Sequence, residues 1–267
     1  MSRRRTVAGA AGGGAGLVGL GSIGLLRFEA RLARRKIPVL AGPPAADGDY
    51  GAAGRGAPLR LALIGDSSAA GIGVDSPRET PGALLAAALA EQTGRPVILQ
   101  VAAVTGARSR DLAGQVDRTL LTPPHIAVVS IGANDVTHRV RRAHALTDQR
   151  REVRRLVEAD VAVVLGTCPD LSAVRPIPHP LRALAGRWSR RMGRAQEQLA
   201  GDGVIVVPLG RWLGPRFTAD PGLFCPDGFH PSAAGYRVIV ETVLPAVLAV
   251  AGPAPGSLPA HVEGASS

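Results

Sequence analysis

Five apolar runs of strand length recur along the middle of the chain, and segments with the mixed pattern of amphipathic helices separate them. The runs are nearly continuous in Val, Ile, Leu and Ala instead of alternating with polar residues. Such continuity is typical of strands covered on both faces, as in parallel sheets. The runs lie at 59–67, 96–104, 125–135, 160–168 and 203–210. The helix-like segments lie at about 80–92, 108–120, 147–158, 181–200 and 232–249.

The repeated alternation of strand and helix predicts an α/β fold. Strands joined in this way form parallel sheets with right-handed crossovers, and the crossovers place helices on both faces. We therefore expect a three-layer α/β/α sandwich around a five-stranded parallel sheet. In sheets of this kind, ligands bind at the carboxyl ends of the strands.

The compact domain is expected over residues 58–250, because the composition changes on either side of it. Residues 41–57 are rich in Gly, Pro and Ala, which is typical of a linker. Residues 251–267 have the same composition, and we expect them to form a disordered tail.

Residues 1–40 form a basic segment around a weakly apolar stretch. Residues 6–26 carry no charge, and as a helix they would be about 30 Å long, close to the thickness of a bilayer core. Eight of these 21 residues are Gly, so an uncleaved membrane anchor, a cleaved export signal and a disordered tail all fit. The first two predict an exported or membrane-anchored protein of the bacterial cell envelope, with membrane contact through residues 6–26. The third leaves a cytoplasmic location open.

The net charge of +10 does not indicate a nucleic-acid partner. Residues 1–36 carry +7 of this charge, so the excess flanks the apolar stretch instead of forming a patch on the predicted domain. An anionic membrane surface accounts for this distribution better than a nucleic acid does.

The two cysteines do not form a metal-binding pattern. Cys168 and Cys225 lack CxxC spacing and have no histidine cluster beside them, so a zinc site is not expected. They could form a disulfide if the chain is exported, and two free thiols are the alternative.

Small and polar residues follow the predicted strands at the end where chemistry is expected. The first strand ends in "GDS" (65–67), the second in "VTGA" (104–107) and the third in "GAND" (132–135), while the loop before the last helix reads "DGFHP" (227–231). Each block alone also fits an ordinary turn. Together they supply a serine, two candidate oxyanion donors and a histidine with a nearby aspartate, which are the components of a serine hydrolase.

The order and placement of these blocks resemble the SGNH hydrolases, also called the GDSL lipase/esterase superfamily. The matching blocks are "GDSSAAG", the glycine of "VTGA", "GAND" and "DGFH", and the resemblance covers essentially all of residues 59–250. Stretches such as "GTCPDL" and "LFCPDGFHPSAAGY" are similar to actinobacterial members. The resemblance implies a flavodoxin-like layering and a hydrolase of acyl esters. The G-x-S-x-G elbow of the common α/β-hydrolase fold is absent.

The resemblance also implies a role for five residues. Ser67 would be the nucleophile, His230 the base that takes its proton, and Asp227 the carboxylate that orients His230. The oxyanion hole would use the backbone N–H groups of Ser67 and Gly106 and the side-chain amide of Asn134. This chemistry needs no metal and no cofactor, and we expect neither.

The sequence therefore predicts a serine esterase or lipase that acts on a small-molecule, lipid or carbohydrate ester. Ser68 is an alternative nucleophile, one position beyond the family block. An acyltransferase or a carbohydrate O-acetylesterase could use the same residues. A non-catalytic lipid- or glycan-binding module would be expected to lack Ser67, Asn134 or His230, and all three are present.

Overall fold

The structure of the protein, a computed structural model, describes residue 29, residues 42–51 and residues 56–252. Most of the predicted anchor or export signal at 1–40 and of the predicted tail at 251–267 lies outside the described residues. Glu29 is the exception in the first segment. Its buried carboxylate accepts a hydrogen bond from the backbone N–H of Leu181 at 2.8 Å.

Six strands and eight helices make up the described part of the chain, together with short 3-10 turns. The strands are β1 Gly48–Tyr50, β2 Leu59–Gly65, β3 Val97–Val101, β4 Ile126–Ser130, β5 Ala162–Gly166 and β6 Val204–Val207. The helices are α1 Ser67–Ala70, α2 Pro81–Thr93, α3 Leu112–Leu120, α4 Ala133–Thr137, α5 Arg142–Glu158, α6 Leu181–Gln196, α7 Leu209–Ala219 and α8 Ala233–Ala251.

The strands form a single sheet in the order β1-β3-β2-β4-β5-β6. Strands β2 to β6 pair in parallel, so the predicted α/β sandwich is confirmed. The prediction of five strands, all parallel, is wrong by one edge strand, because β1 pairs antiparallel with β3. This strand of three residues within 41–57 is too short to show a periodic pattern. Hydrogen bonds of the two preceding residues fix the position of β1. The Asp47 carboxylate accepts from the Val101 N–H at 2.9 Å, and the Ala46 carbonyl accepts from the Tyr50 hydroxyl at 2.6 Å.

Alternate residues of the central strands face two separate cores. Leu63 of β2 and Val128 of β4 pack with α2, α7 and α8, whereas Ile64 and Val129 pack with α3 and α5 on the opposite face. Burying each of these side chains contributes roughly 1.5–3 kcal/mol. Because both faces are covered, the strands are apolar at almost every position, which is the pattern visible in the sequence.

Helix α7 is the long helix that the sequence pattern does not predict. Gly210, Gly214 and Pro215 lie within it, and such residues usually mark loops. The two glycines face the loop after β5. A Cβ at Gly210 would overlap the Cys168 carbonyl oxygen, and one at Gly214 would lie 2.9 Å from the Asp170 Cβ. The small residues therefore let α7 pack closely against a loop that borders the site.

Helix α8 is the one helix within the described residues that is long and apolar enough to cross a membrane, with a mean hydropathy of 1.6. A third of that stretch is buried, and Val240, Val243 and Val247 belong to the core on the α2 side of the sheet. Because a core helix has the same length and composition, α8 gives only weak support for a membrane span.

Candidate active site

The corner after β2 is built around Gly65. Its φ is +150°, and a Cβ would overlap the carbonyl oxygen of Ser130 on β4, so only glycine permits this close approach. The buried side-chain amide of Gln115 on α3 holds the same residue. It accepts from the Gly65 N–H at 2.8 Å and donates to the Gly65 carbonyl at 2.9 Å. The strand end that precedes Ser67 is therefore fixed on both sides.

Asp66 and Ser67 begin α1 at the carboxyl end of β2. Asp66 is the N-cap, and its carboxylate accepts from the Ser68 N–H at 3.1 Å. Burial raises the pKa of Asp66 to about 6. Ser67 is the first residue of the helix, a position whose backbone N–H has no acceptor within the helix.

The structure brings Ser67, His230 and Asp227 together in one hydrogen-bonded chain. The Ser67 Oγ lies 3.0 Å from Nε2 of His230, although the two residues are 163 positions apart. Nδ1 of His230 lies 2.6 Å from Oδ2 of Asp227. His230 contacts the hydroxyl of Ser67 and not that of Ser68. The order of nucleophile, base and orienting carboxylate is the one that serine hydrolases use.

The carboxylate of Asp227 is saturated with hydrogen bonds. Its Oδ1 accepts from the backbone N–H groups of Phe229 at 2.7 Å and His230 at 2.9 Å and from the Cys225 thiol at 3.0 Å. Burial alone would raise the pKa of Asp227, but the bonds from His230, Cys225 and the backbone outweigh it and lower the pKa to about 2. Asp227 is therefore ionised at neutral pH. Burial and the bond to Asp227 raise the pKa of the Cys225 thiol to about 11, so the sulfur keeps its proton.

Two of the predicted oxyanion donors, Gly106 and Asn134, lie on a loop and on α4, and a hydrogen bond joins these two segments. The Asn134 Nδ2 donates to the Ala107 carbonyl at 3.0 Å, which orients an amide that has a second N–H to offer. Gly106 has φ of +80°, a left-handed conformation that favours glycine. The Val104 N–H donates to the Gly65 carbonyl at 3.1 Å. Gly106 thus lies between one residue tied to the Gly65 corner and another tied to Asn134.

A chain of buried polar side chains braces α4 from behind. Asp135 accepts from the Ser109 hydroxyl at 2.7 Å, and the same hydroxyl accepts from Gln149 at 2.7 Å. Gln196 donates to Gln149 at 3.0 Å and accepts from the Cys168 N–H at 2.7 Å. The network joins α4, α5 and α6 to the end of β5, so it holds α4, the helix that carries Asn134, in a fixed position.

A cavity of about 140 Å³ opens beside Ser67 and Asn134. It is bounded by β2, β4, α2, α7, α8 and the 3-10 turn after β5, and its lining is mainly apolar. Gly106 is not among the lining residues. The apolar side chains that line it include Leu63, Leu85, Val128, Leu213, Phe217 and Val243.

The two cysteines are free thiols. Cys168 and Cys225 are both buried, so of the two sequence alternatives the structure contains the unpaired one. Burial raises the pKa of Cys168 well above its ordinary value. Among the residues that the structure describes, no group of three or more His, Cys, Asp or Glu side chains is arranged to hold a metal ion.

Comparison with known proteins gives one family match and a set of similar chains. The model of the GDSL-like lipase/acylhydrolase family matches residues 63–238. A GDSL-like esterase of Mycobacterium tuberculosis is 41% identical over 258 residues, which span 90% of this chain and 82% of that protein. The solved structure of TesA has a TM-score of 0.60 at 21% identity, over 72% of this chain and 99% of its own. A catalytic mutant of an acetylxylan esterase from Geobacillus stearothermophilus has a TM-score of 0.51 at 20% identity, over 76% and 96%. These two structures share the fold.

Proposed function

Because this chain belongs to the GDSL-like lipase/acylhydrolase family and is a hydrolase of ester bonds, we propose that it is a serine esterase. It cleaves an acyl ester through an acyl-enzyme intermediate on Ser67. The observation that carries the proposal is the hydrogen-bonded chain from Ser67 to His230 at 3.0 Å and from His230 to Asp227 at 2.6 Å. Both distances suit proton transfer between a nucleophile and an oriented base.

Acylation begins when the Ser67 oxygen attacks the carbonyl carbon of the ester. His230 Nε2 takes the hydroxyl proton during the attack and returns it to the alcohol oxygen as the bond between the carbonyl carbon and that oxygen breaks. The acyl group stays on Ser67. In deacylation, His230 takes a proton from water as the water oxygen attacks the acyl carbonyl, and it then protonates the departing Ser67 oxygen.

Asp227 holds His230 in the tautomer that presents an unprotonated Nε2 to Ser67. It accepts the Nδ1 proton and stabilises the imidazolium that forms after proton transfer. The three other hydrogen bonds to its Oδ1 support this role, because they keep the carboxylate ionised and fixed.

Charge that develops on the carbonyl oxygen is stabilised by three donors. The backbone N–H groups of Ser67 and Gly106 and the side-chain amide of Asn134 supply them. The bond from Asn134 to Ala107 supports this assignment, because an amide held in advance needs no reorganisation during the reaction.

The mainly apolar cavity favours an ester with an aliphatic acyl group over an acetylated carbohydrate, which would need polar partners in a large part of its site. An acyltransferase would use the same Ser67, His230 and Asp227 with an alcohol in place of water. A location at the cell envelope stays a prediction that rests on the sequence of residues 1–40.

The proposal is tested with the full chain, its Ser67→Ala variant and Ser68→Ala as the matched control. We expect hydrolysis of p-nitrophenyl esters by the wild type, a loss of about 10⁴-fold or more in kcat for Ser67→Ala, and little change for Ser68→Ala. A fluorophosphonate should label Ser67, as peptide mapping by mass spectrometry would show. Full activity in Ser67→Ala would refute the mechanism, and transfer to an added alcohol that outpaces hydrolysis would identify an acyltransferase.

A further inference from the structure

The cavity beside the nucleophile extends into the core and is more than a surface groove. On β2 it reaches Leu63, two residues before Gly65, which is about 7 Å towards the middle of the sheet at 3.3 Å per residue. On α8 it follows one face from Tyr236 to Val243, a length of about 10 Å at 1.5 Å per residue. The cavity therefore lies between the sheet and the helices that cover it.

Several polar groups lie together at one end of this space, although the lining also includes Asp170 and Tyr236. Ser67, Ser130, Asn134 and Thr167 line it where the parallel strands end. Away from that end the walls are side chains of the core shared by β2, β4, α2, α7 and α8. Water in the apolar part of this space would lack hydrogen-bond partners.

A cavity of about 140 Å³ between a sheet and the helices that cover it is unusual, because protein interiors are close-packed. Empty volume of this size destabilises a fold. Here the cavity is lined by Ser67, so its volume can serve to bind a substrate. A space of roughly 150 Å³ with walls of the same kind can hold a molecule the size of benzene. The cavity therefore has room for an aliphatic chain of about six carbons. An acetyl group would leave most of it empty, and a palmitoyl chain would exceed it.

We propose that this space, the acyl chamber, receives the acyl chain of the substrate and makes the enzyme selective for medium-chain esters of about six carbons. The inference rests on the proposed serine mechanism, since the chain enters from a carbonyl carbon held at Ser67. Selectivity comes from apolar burial, because each methylene that enters the chamber leaves water.

The first test is the chain-length profile of the full-length enzyme with p-nitrophenyl acetate, butyrate, hexanoate, octanoate, decanoate and palmitate below their micellar concentrations. We expect kcat/KM to rise about fourfold per methylene up to hexanoate, the factor that corresponds to burial of one methylene. Beyond about six to eight carbons it should level off or fall. A maximum at acetate, or an unbroken rise to palmitate, would overturn the proposal.

Substitutions in the chamber should move this profile. Leu213→Ala on α7 enlarges it, so the optimum should move towards decanoate. Leu156→Ala is the matched control, because it removes the same atoms from the core on the opposite face of the sheet. Val243→Phe on α8 fills the chamber, so the ratio of kcat/KM for hexanoate to kcat/KM for acetate should fall. An equal shift in the control, or an unchanged profile in both chamber variants, would contradict the assignment.

The outcome also separates this inference from the proposed function. If hydrolysis depends on Ser67 but is fastest with the acetate ester, the inference about the acyl chamber is refuted and the serine mechanism is still supported. Hydrolysis that survives Ser67→Ala would remove the mechanism itself, whatever the chain-length profile.

Discussion

Asp66 should make the folded protein less stable as the pH rises from about 4 to about 6. Burial raises the pKa of this carboxyl from 3.8 to about 6 in the folded state, whereas in the unfolded chain it titrates near its ordinary value. Between these two values the folded state holds a proton that the unfolded chain has released. Stability supplied by the protonated form is therefore fully present below pH 4 and is lost as the pH rises through about 6.

The size of the effect follows from the same shift. A difference of about two pH units at about 1.36 kcal/mol per unit amounts to roughly 3 kcal/mol. Asp66→Asn removes the ionisation and keeps an oxygen that can accept from the Ser68 N–H. The variant should therefore lack the part of the loss that Asp66 causes, and exceed the wild type by up to roughly 3 kcal/mol above pH 7.

Urea unfolding of the full chain at half-unit intervals from pH 4 to 8 measures this difference, provided that the m-value stays constant. Asp75→Asn, at an exposed position, is the matched control and should follow the wild type. Asp227 does not interfere, because its pKa is lowered to about 2, so its stabilisation is present above pH 4 and is lost only as the pH falls towards 2. Parallel stability curves for wild type and Asp66→Asn would refute the argument.

Two further substitutions test how the site is held. Asn134→Ala should lower kcat by about 10²–10³-fold with a small change in KM, because one proposed oxyanion donor is lost. Thr137→Ala on the same helix is the control. Equal kinetics for the two variants would exclude Asn134 as an oxyanion donor. Gln115→Leu should destabilise the fold by about 1–3 kcal/mol, because the buried Gly65 N–H loses its acceptor, and should also lower kcat. Chemical denaturation beside the exposed Gln92→Leu measures the first effect, and unchanged stability would contradict it.

The central strands could be predicted because burial on both faces leaves continuous apolar runs in the sequence. Strand β1 could not, since three residues carry no period and the strand is held by its pairing with β3 and by hydrogen bonds of Ala46 and Asp47, which precede it. Helix α7 could not either, because Gly210, Gly214 and Pro215 have the composition of a loop, and the two glycines allow close packing against the segment after β5. Local composition reports only on the segment itself, whereas the formation of β1 and α7 depends on the segments that pack against them.

The position of Ser67, Asn134 and His230 could be predicted from strand ends and from the resemblance to a known family. Gln115 and Gln149 could not, because a glutamine on an amphipathic helix usually lies on the surface. Their partners are 50 and 40 residues away in the chain. The acyl chamber could not be predicted from the sequence either. Its volume is the space left between side chains of several helices and strands, and that space depends on their tertiary packing.

Asp227 and His230 are three residues apart on one loop, and the N–H groups of that loop hold the carboxylate. The proposed base and the carboxylate that would orient it are therefore assembled locally, whereas Ser67 contacts them only through tertiary packing. The Tyr236 hydroxyl on α8 makes part of this connection, donating to the Ile72 carbonyl just beyond α1 at 2.6 Å. If α8 separates from that corner, the chain keeps the hydrogen-bonded pair of His230 and Asp227 but loses its contact with Ser67, the proposed nucleophile. Ester hydrolysis therefore reports that α1, near the start of the domain, is in contact with the loop before α8, near its end.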